Sequence, residues 1–243
     1  MTSLLELLLA SSIVALGSLL QAASGLGAGL IVVPLLSMLS LDWVPGPCVA
    51  ASLLLSWLMF WRGRQVVVRQ NLVAMLGGLA LGIAIAASLL RQLPLDSLGL
   101  VFGCLIVLAV LVSLTPLRLP ITRLSAGLTG IAAGLMGTLA GIGAPVLALF
   151  YQHERGPALR ATLGLLYFLS SLVMLAALHS VGRFGGLEVG RSLQLFPGVM
   201  LGYWVSPRLA HWLDRGYSQT AVLAIALLSS TVLIGQSLLK LQS

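Results

Sequence analysis

Charge is scarce in this chain: 8% of its 243 residues are charged, while 59% are hydrophobic. Soluble domains carry about 25% charged residues, so a water-soluble globule is excluded and the chain is read as an integral membrane protein. Carboxylates are scarcer still. Glu6, Asp42, Asp96, Glu154, Glu188 and Asp214 are all there are, and each falls near the start or between apolar blocks. Proton pumps and many cation carriers bury acidic groups inside the bilayer, so their lack at midspan weighs against a cation as substrate. Only Cys48 and Cys104 carry thiols, and only three histidines occur. No metal-type spacing, disulfide framework or redox pair results, so both cysteines are read as small core residues, and neither metal nor cofactor is expected. Strand-like alternation is missing, which excludes an outer-membrane barrel.

Basic residues outnumber acidic ones 13 to 6, a net charge of +7, yet they lie singly in short loops. They read as topology signals rather than as a nucleic-acid surface. The first apolar segment ends in Gln21-Ala22-Ala23 like a signal peptide, but Glu6 stands where the basic region belongs, so the segment is read as retained.

What the chain does have is long apolar blocks: 4–40, 45–61, 71–90, 97–115, 121–151, 160–180, 192–207 and 218–239. A helix over 4–40 runs roughly 55 Å at about 1.5 Å per residue, against a hydrocarbon core of about 30 Å. One straight crossing cannot hold it. The block breaks or doubles back, and its glycines, in SGLGAGLIVVP over 24–34, mark the place.

The same element recurs. Gly25-Leu26-Gly27-Ala28 faces Gly141-Ile142-Gly143-Ala144 at an offset of 141 − 25 = 116. Gly78 and Gly82 face Gly198 and Gly202 at 120, and Ala51-Ser52 faces Ala161-Thr162 at 110. Weak internal symmetry with interrupted helices is the usual build of secondary transporters. The expected fold is an all-α polytopic membrane protein of two homologous repeats, 1–117 and 118–243. Each has about four spans and a glycine-broken or re-entrant helix, giving eight to ten membrane segments. With eight single crossings the basic residues put the N-terminus inside; if each broken block crosses twice, they put it outside and the repeats become inverted.

A helix that starts inside the bilayer leaves its first N–H groups bare and carries about half a positive charge there. Glycine lets an anion approach that backbone, and Pro145 suits a first turn because it has no N–H. The candidate substrate site is therefore Ser24, Gly25, Gly27 and Gly29 at the first break with Thr138, Gly141, Gly143 and Ala144 at the second. Ser52 and Thr162 occupy matched positions in the following helices, and Arg160 offers a fork of donors beside the second break. The competing reading of the glycines is close helix packing.

SGLGAGLIVVP, its second copy GTLAGIGAPVLALF over 137–150 and Arg160-Ala161-Thr162 resemble the signatures of the sulfite exporter TauE/SafE family of membrane permeases. The second copy differs in Ala144-Pro145 and in Phe150, which aligns with Pro34. The resemblance implies movement of a small sulfur-containing anion, such as sulfite or an organosulfonate, across the bacterial inner membrane. Alternating access would expose the site to each side in turn. The expected partners are that anion and the lipid bilayer; coupling to a proton or other ion and pairing into a homodimer are left open.

Two rivals share part of the pattern. An anion channel uses the same breaks without alternating access. An intramembrane serine protease needs a Ser-His pair, for which Ser24 and His179 are the candidates; its motif, Ala22-Ala23-Ser24-Gly25, is a poor match. Arg91 and His211 are read as interfacial residues. Trp43, Trp57, Trp61, Trp204 and Trp212 mostly lie near span ends, as an aromatic belt does.

Overall fold

The computed structural model describes residues 4–25, 29–93, 98–114, 119–151, 153–154, 156–213 and Thr231. Among them every regular element is helical: α1 (Leu4–Ser24), α2 (Gly29–Leu39), α3 (Gly46–Gly63), α4 (Leu72–Gln92), α5 (Leu98–Leu114), α6 (Arg123–Ala140), α7 (Ala144–Phe150), α8 (Gly156–Ser180) and α9 (Gly186–Leu213). Three of them, α1, α4 and α8, are long and apolar enough to cross a membrane. The apolar block 218–239 lies outside the described residues.

Both overlong blocks are broken where their glycines stand. Gly25 closes α1 at φ +81° and Gly141 closes α6 at φ +73°, left-handed conformations that a side chain disfavours. The closing hydrogen bonds run from Gly25 N to Gln21 O at 2.7 Å, from Gly141 N to Gly137 O at 2.8 Å and from Ile142 N to Met136 O at 3.3 Å. After each break the chain turns back. Trp43 Nε1 donates to Glu6 Oε1 at 3.1 Å, so the segment after α2 has returned to the end where α1 began. At the other end of α6, Thr122 and Ser125 form a reciprocal capping box, each side chain accepting from the other's backbone N–H.

Glycine also sets the helix packing. A Cβ on Gly78 or Gly82 of α4 would run into the carbonyls of Gly127 and Ile131 of α6; one on Gly198 or Gly202 of α9 would run into those of Ser11 and Ala15 of α1. The small residues therefore bring backbone onto backbone, the usual device for helices that have no hydrophobic force between them in lipid. Each pair runs parallel, since partner numbers rise together. By contrast α3 and α8 run antiparallel: Gly63 lies on Pro157 and Ala161, while Gly164 lies on Ser56, Met59 and Phe60.

The outer surface is apolar, with Leu4 74% exposed, Val73 85% and Leu124 73%, as expected for a lipid-facing wall. Cys104 is exposed on α5, whereas Cys48 is buried, which corrects the expectation that both are core residues. It shares one face of α5 with exposed Leu108 and Leu111, and a small thiol is tolerated on such a wall. Trp57, Trp61 and Trp204 are exposed as belt residues are, but Trp43 is fully buried on its bond to Glu6. The side chains of His211 and Trp212 lie outside the described residues.

Candidate functional site

The two breaks meet. A Cβ on Gly29, the first residue of α2, would stand 2.5 Å from the carbonyl oxygen of Gly141, and one on Gly141 would stand 3.1 Å from Val33 Cγ2. Two separate glycine clusters, more than a hundred residues apart in sequence, thus lie in direct backbone contact. Gly143 is pressed in turn against α6, its Cβ position 2.5 Å from Ala133 O.

Beside this crossing lies a cavity of about 770 Å³, solvent at its mouth included, bounded by α1, α2, α3, α4, α6, α7 and α8. Gly29, Ser52, Gly141, Gly143 and Ala144, five of the residues expected from the sequence, line it. No Asp, Glu, Lys, Arg or His is among its described lining residues. Its polar groups are hydroxyls, one amide and the thiol of Cys48. Ser18 and Gln21 come from α1, Ser52 from α3, and Tyr167, Ser170 and Ser171 from α8.

Some of these groups are engaged and some are not. Ser170 Oγ donates to Tyr167 O at 3.1 Å, and Tyr167 OH points at Gly25 O at 3.4 Å. Ser18 and Ser171 are 3% and 4% exposed, line the cavity, and have hydroxyls with no hydrogen-bond partner among the described residues. The buried side-chain atoms without a partner among the described residues are Ser37 Oγ, Thr138 Oγ1 and Tyr151 OH, so the Ser18 and Ser171 hydroxyls keep access to the cavity.

The other expected residues lie elsewhere. Arg160 Nη1 donates to Ala23 O at 2.8 Å, capping the carbonyl end of α1, and its Cγ packs where a Gly25 Cβ would be. Thr162 Oγ1 donates to Ala158 O and accepts from Val68 N at 2.9 Å, tying the loop before α4 to α8. Ser24 Oγ donates to Leu20 O at 2.7 Å, and Thr138 is fully buried with its hydroxyl unpartnered among the described residues. None of these, nor Gly25, lines the cavity. Gly27 lies outside the described residues.

Sequence reasoning missed Ser18, Gln21, Cys48, Tyr167, Ser170 and Ser171. The signal was there for most of them. Val14, Ser18 and Gln21 fall at i, i+4 and i+7, and Tyr167, Ser170, Ser171 and Met174 at i, i+3, i+4 and i+7, each a single helical face carrying polar atoms within an apolar helix.

The protease pair is not assembled. Ser24 adjoins Gly25, which packs on Arg160, whereas His179 lies nineteen residues further along the continuous helix α8, roughly 28 Å at about 1.5 Å per residue. Its Nδ1 is paired with Phe184 O at 2.9 Å. No group of three or more His, Cys, Asp or Glu side chains suited to a metal occurs among the described residues.

A family model described as sulfite exporter TauE/SafE matches residues 9–233. No curated protein and no solved structure matches the chain.

Proposed function

The chain belongs to the sulfite exporter TauE/SafE family, and from that membership and the cavity we infer a secondary transporter that moves a small sulfur-containing anion across the bacterial inner membrane. The observation that carries this reading is the uncharged cavity at the crossing of the two glycine breaks, with unpartnered hydroxyls on its wall. Backbone N–H groups and hydroxyls hold an anion without a counter-charge. Here α2 opens on the cavity at Gly29 and α7 at Ala144, while the carbonyl ends of α1 and α6 are satisfied by Arg160 and by the closing bonds at Gly141. The first turns of α2 and α7 therefore border the cavity, beside the Gly141 carbonyl that meets Gly29.

Alternating access is supported by the packing. The Gly78 to Gly127 contact and the Gly198 to Ser11 contact relate through 127 − 11 = 116, and Gly82 to Ile131 and Gly202 to Ala15 through 131 − 15 = 116. This is the offset that relates Gly25 to Gly141. The matched packing, α4 on α6 as α9 on α1, supports reading residues 1–117 and 118–243 as two repeats. The antiparallel run of α3 against α8 favours inverted repeats over parallel ones, the arrangement in which halves rock about a fixed site.

Flux in proteoliposomes tests this reading. Saturable uptake of sulfite or an organosulfonate, with accelerated exchange when the same anion is loaded inside, is the expected result. Current without saturation or counterflow identifies the channel instead, and no anion flux at all overturns the assignment.

A further inference from the structure

Arginines meet different surroundings at the two ends of the molecule. At the end where α4 closes, Arg183 Nη2 donates to the carbonyls of Leu90 and Leu93 at 3.4 and 3.0 Å, and Arg191 Nη2 meets Asp42 Oδ2 at 2.8 Å. Protein groups satisfy both. At the other end Arg62, Arg64 and Arg208 are exposed and form no hydrogen bond or ion pair among the described residues.

These three stand at one level. Tyr203 OH donates to Leu58 O at 3.0 Å, and a Cβ on Gly46 would lie 3.6 Å from Glu188 Cγ, so α3 and α9 run parallel. The offset 203 − 58 = 145 sets Arg208 at the height of Gly63 (208 − 145 = 63), between Arg62 and Arg64. Arg62 Cζ lies 4.2 Å from the Tyr203 ring centroid, and Arg64 Cζ lies 4.1 Å from that of Trp61. A ring against the face of a guanidinium holds its plane and leaves the in-plane N–H groups open, the fork that matches a phosphate. The rings are held in turn, Tyr203 by its bond to Leu58 O and Trp61 by Trp57 at 5.3 Å.

Next to these cations both helices present apolar surface. On α9, Leu201, Trp204 and Arg208 fall at i, i+3 and i+7, one face, with Leu201 60% and Trp204 67% exposed. On α3 the exposed Trp57 and Trp61 lead up to Arg62. Unpaired cations at the end of an exposed apolar stripe match a phospholipid with a net negative headgroup; a free phosphate would leave the stripe untouched.

We propose that this end of the α3 and α9 pair is a docking site for an anionic phospholipid such as phosphatidylglycerol. Its phosphodiester is taken by Arg62 and Arg64 with Arg208 beside them, and its acyl chains lie along the Trp57 and Trp204 faces. The site is separate from the cavity and independent of what the protein carries.

Native mass spectrometry and thermal unfolding of the full-length protein, delipidated in a neutral detergent, test it with phosphatidylglycerol, phosphatidylcholine of the same chains, and inorganic phosphate. Phosphatidylglycerol is expected to stay on the protein and raise its melting temperature, with phosphatidylcholine at least about fivefold weaker, the worth of one basic residue near an anionic headgroup. Phosphate at matched concentration should do nothing. Equal retention of the two lipids overturns the proposal, and so does a shift produced by phosphate alone, which marks a free-anion site.

The triple variant Arg62→Gln, Arg64→Gln and Arg208→Gln fixes the location. Its affinity for phosphatidylglycerol should fall at least about tenfold, while Arg69→Gln with Arg123→Gln, at the same end but outside the site, should leave it nearly unchanged. Unchanged binding by the triple variant overturns the proposal, as does an equal loss in the second pair, which marks diffuse attraction to any anionic surface. Should the triple variant not fold, Arg64→Gln replaces it: a loss of about fivefold supports the site, and no loss overturns it.

Discussion

At the scale of single residues, the hydroxyls and the arginine near the breaks divide by what they touch. Thr162 is occupied on both sides, by Ala158 O and Val68 N, whereas Ser52 at the matched position faces the cavity. Thr162→Val strands the Val68 N–H, so it should lower stability by about 1–2 kcal/mol with the transport KM unchanged. Ser52→Ala should do the reverse, raising KM with little change in melting temperature. Thermal unfolding in detergent beside proteoliposome kinetics checks both. Gly29 is the more severe case, because any Cβ there meets the Gly141 carbonyl oxygen at 2.5 Å, and this contact joins the breaks. Gly29→Ala should abolish or nearly abolish flux while the protein still inserts, as membrane fractionation and the transport assay together will show. Arg160 belongs with Thr162: it donates to a helix end, Ala23 O. A cation at a carbonyl terminus contributes typically about 0.3–1 kcal/mol, so Arg160→Gln should reduce melting temperature modestly, and Arg160→Lys should restore most of it.

At the scale of helices, much was legible in the sequence because hydropathy and glycine are local signals. The blocks 45–61, 71–90 and 97–115 correspond to α3, α4 and α5 within a few residues, and the length of 4–40 alone forced a break. What could not be read was which glycines pack and which open. Gly25 and Gly141 close helices at positive φ, while Gly78, Gly82, Gly198 and Gly202 press on neighbouring carbonyls. The distinction depends on the partner helix, and no local pattern contains it. The lining of the cavity was hidden for the same reason: Tyr167 and Ser171 face it only because α8 packs across α3, which is set by Gly164 against Phe60. Since the α4–α6 and α1–α9 contacts are built alike, their glycines should respond alike. Gly82→Leu and Gly202→Leu are each expected to destabilise the protein by about 1–3 kcal/mol or more, read as earlier melting in detergent and lower yield. A Leu at Gly77, where a Cβ meets nothing within 4 Å, should be tolerated.

At the scale of the whole molecule, the fold sorts the arginines into two ends, and this predicts an orientation that charge counting along the sequence left open. Contacts of Gly63 with Pro157 and Ala161, and of Arg62 with the Tyr203 ring at 4.2 Å, gather the end of α3, the start of α8 and the far end of α9. The starts of α4 and α6 join them through the short loop after α3. That end carries Arg62, Arg64, Arg69, Arg123, Arg160 and Arg208 with Glu154 as its described carboxylate. The opposite end holds the start of α1, the Arg191–Asp42 pair at 2.8 Å and Arg183 on Leu93 O at 3.0 Å. With Arg91 it has three arginines, balanced by Glu6, Asp42 and Glu188. Basic residues are retained in the cytoplasm, so the arginine-rich end is expected to face inward and the N-terminus outward. This is the distribution expected when each broken block doubles back, the alternative that makes the repeats inverted. Reporter fusions check it directly. A periplasmic phosphatase joined within the loop after Leu93 should be active and a fluorescent protein joined there dark, whereas the same fusions after Gly63 should give the opposite pair. If the loop after Gly63 proves periplasmic, the charge asymmetry read from the packed helices does not set the topology of this protein.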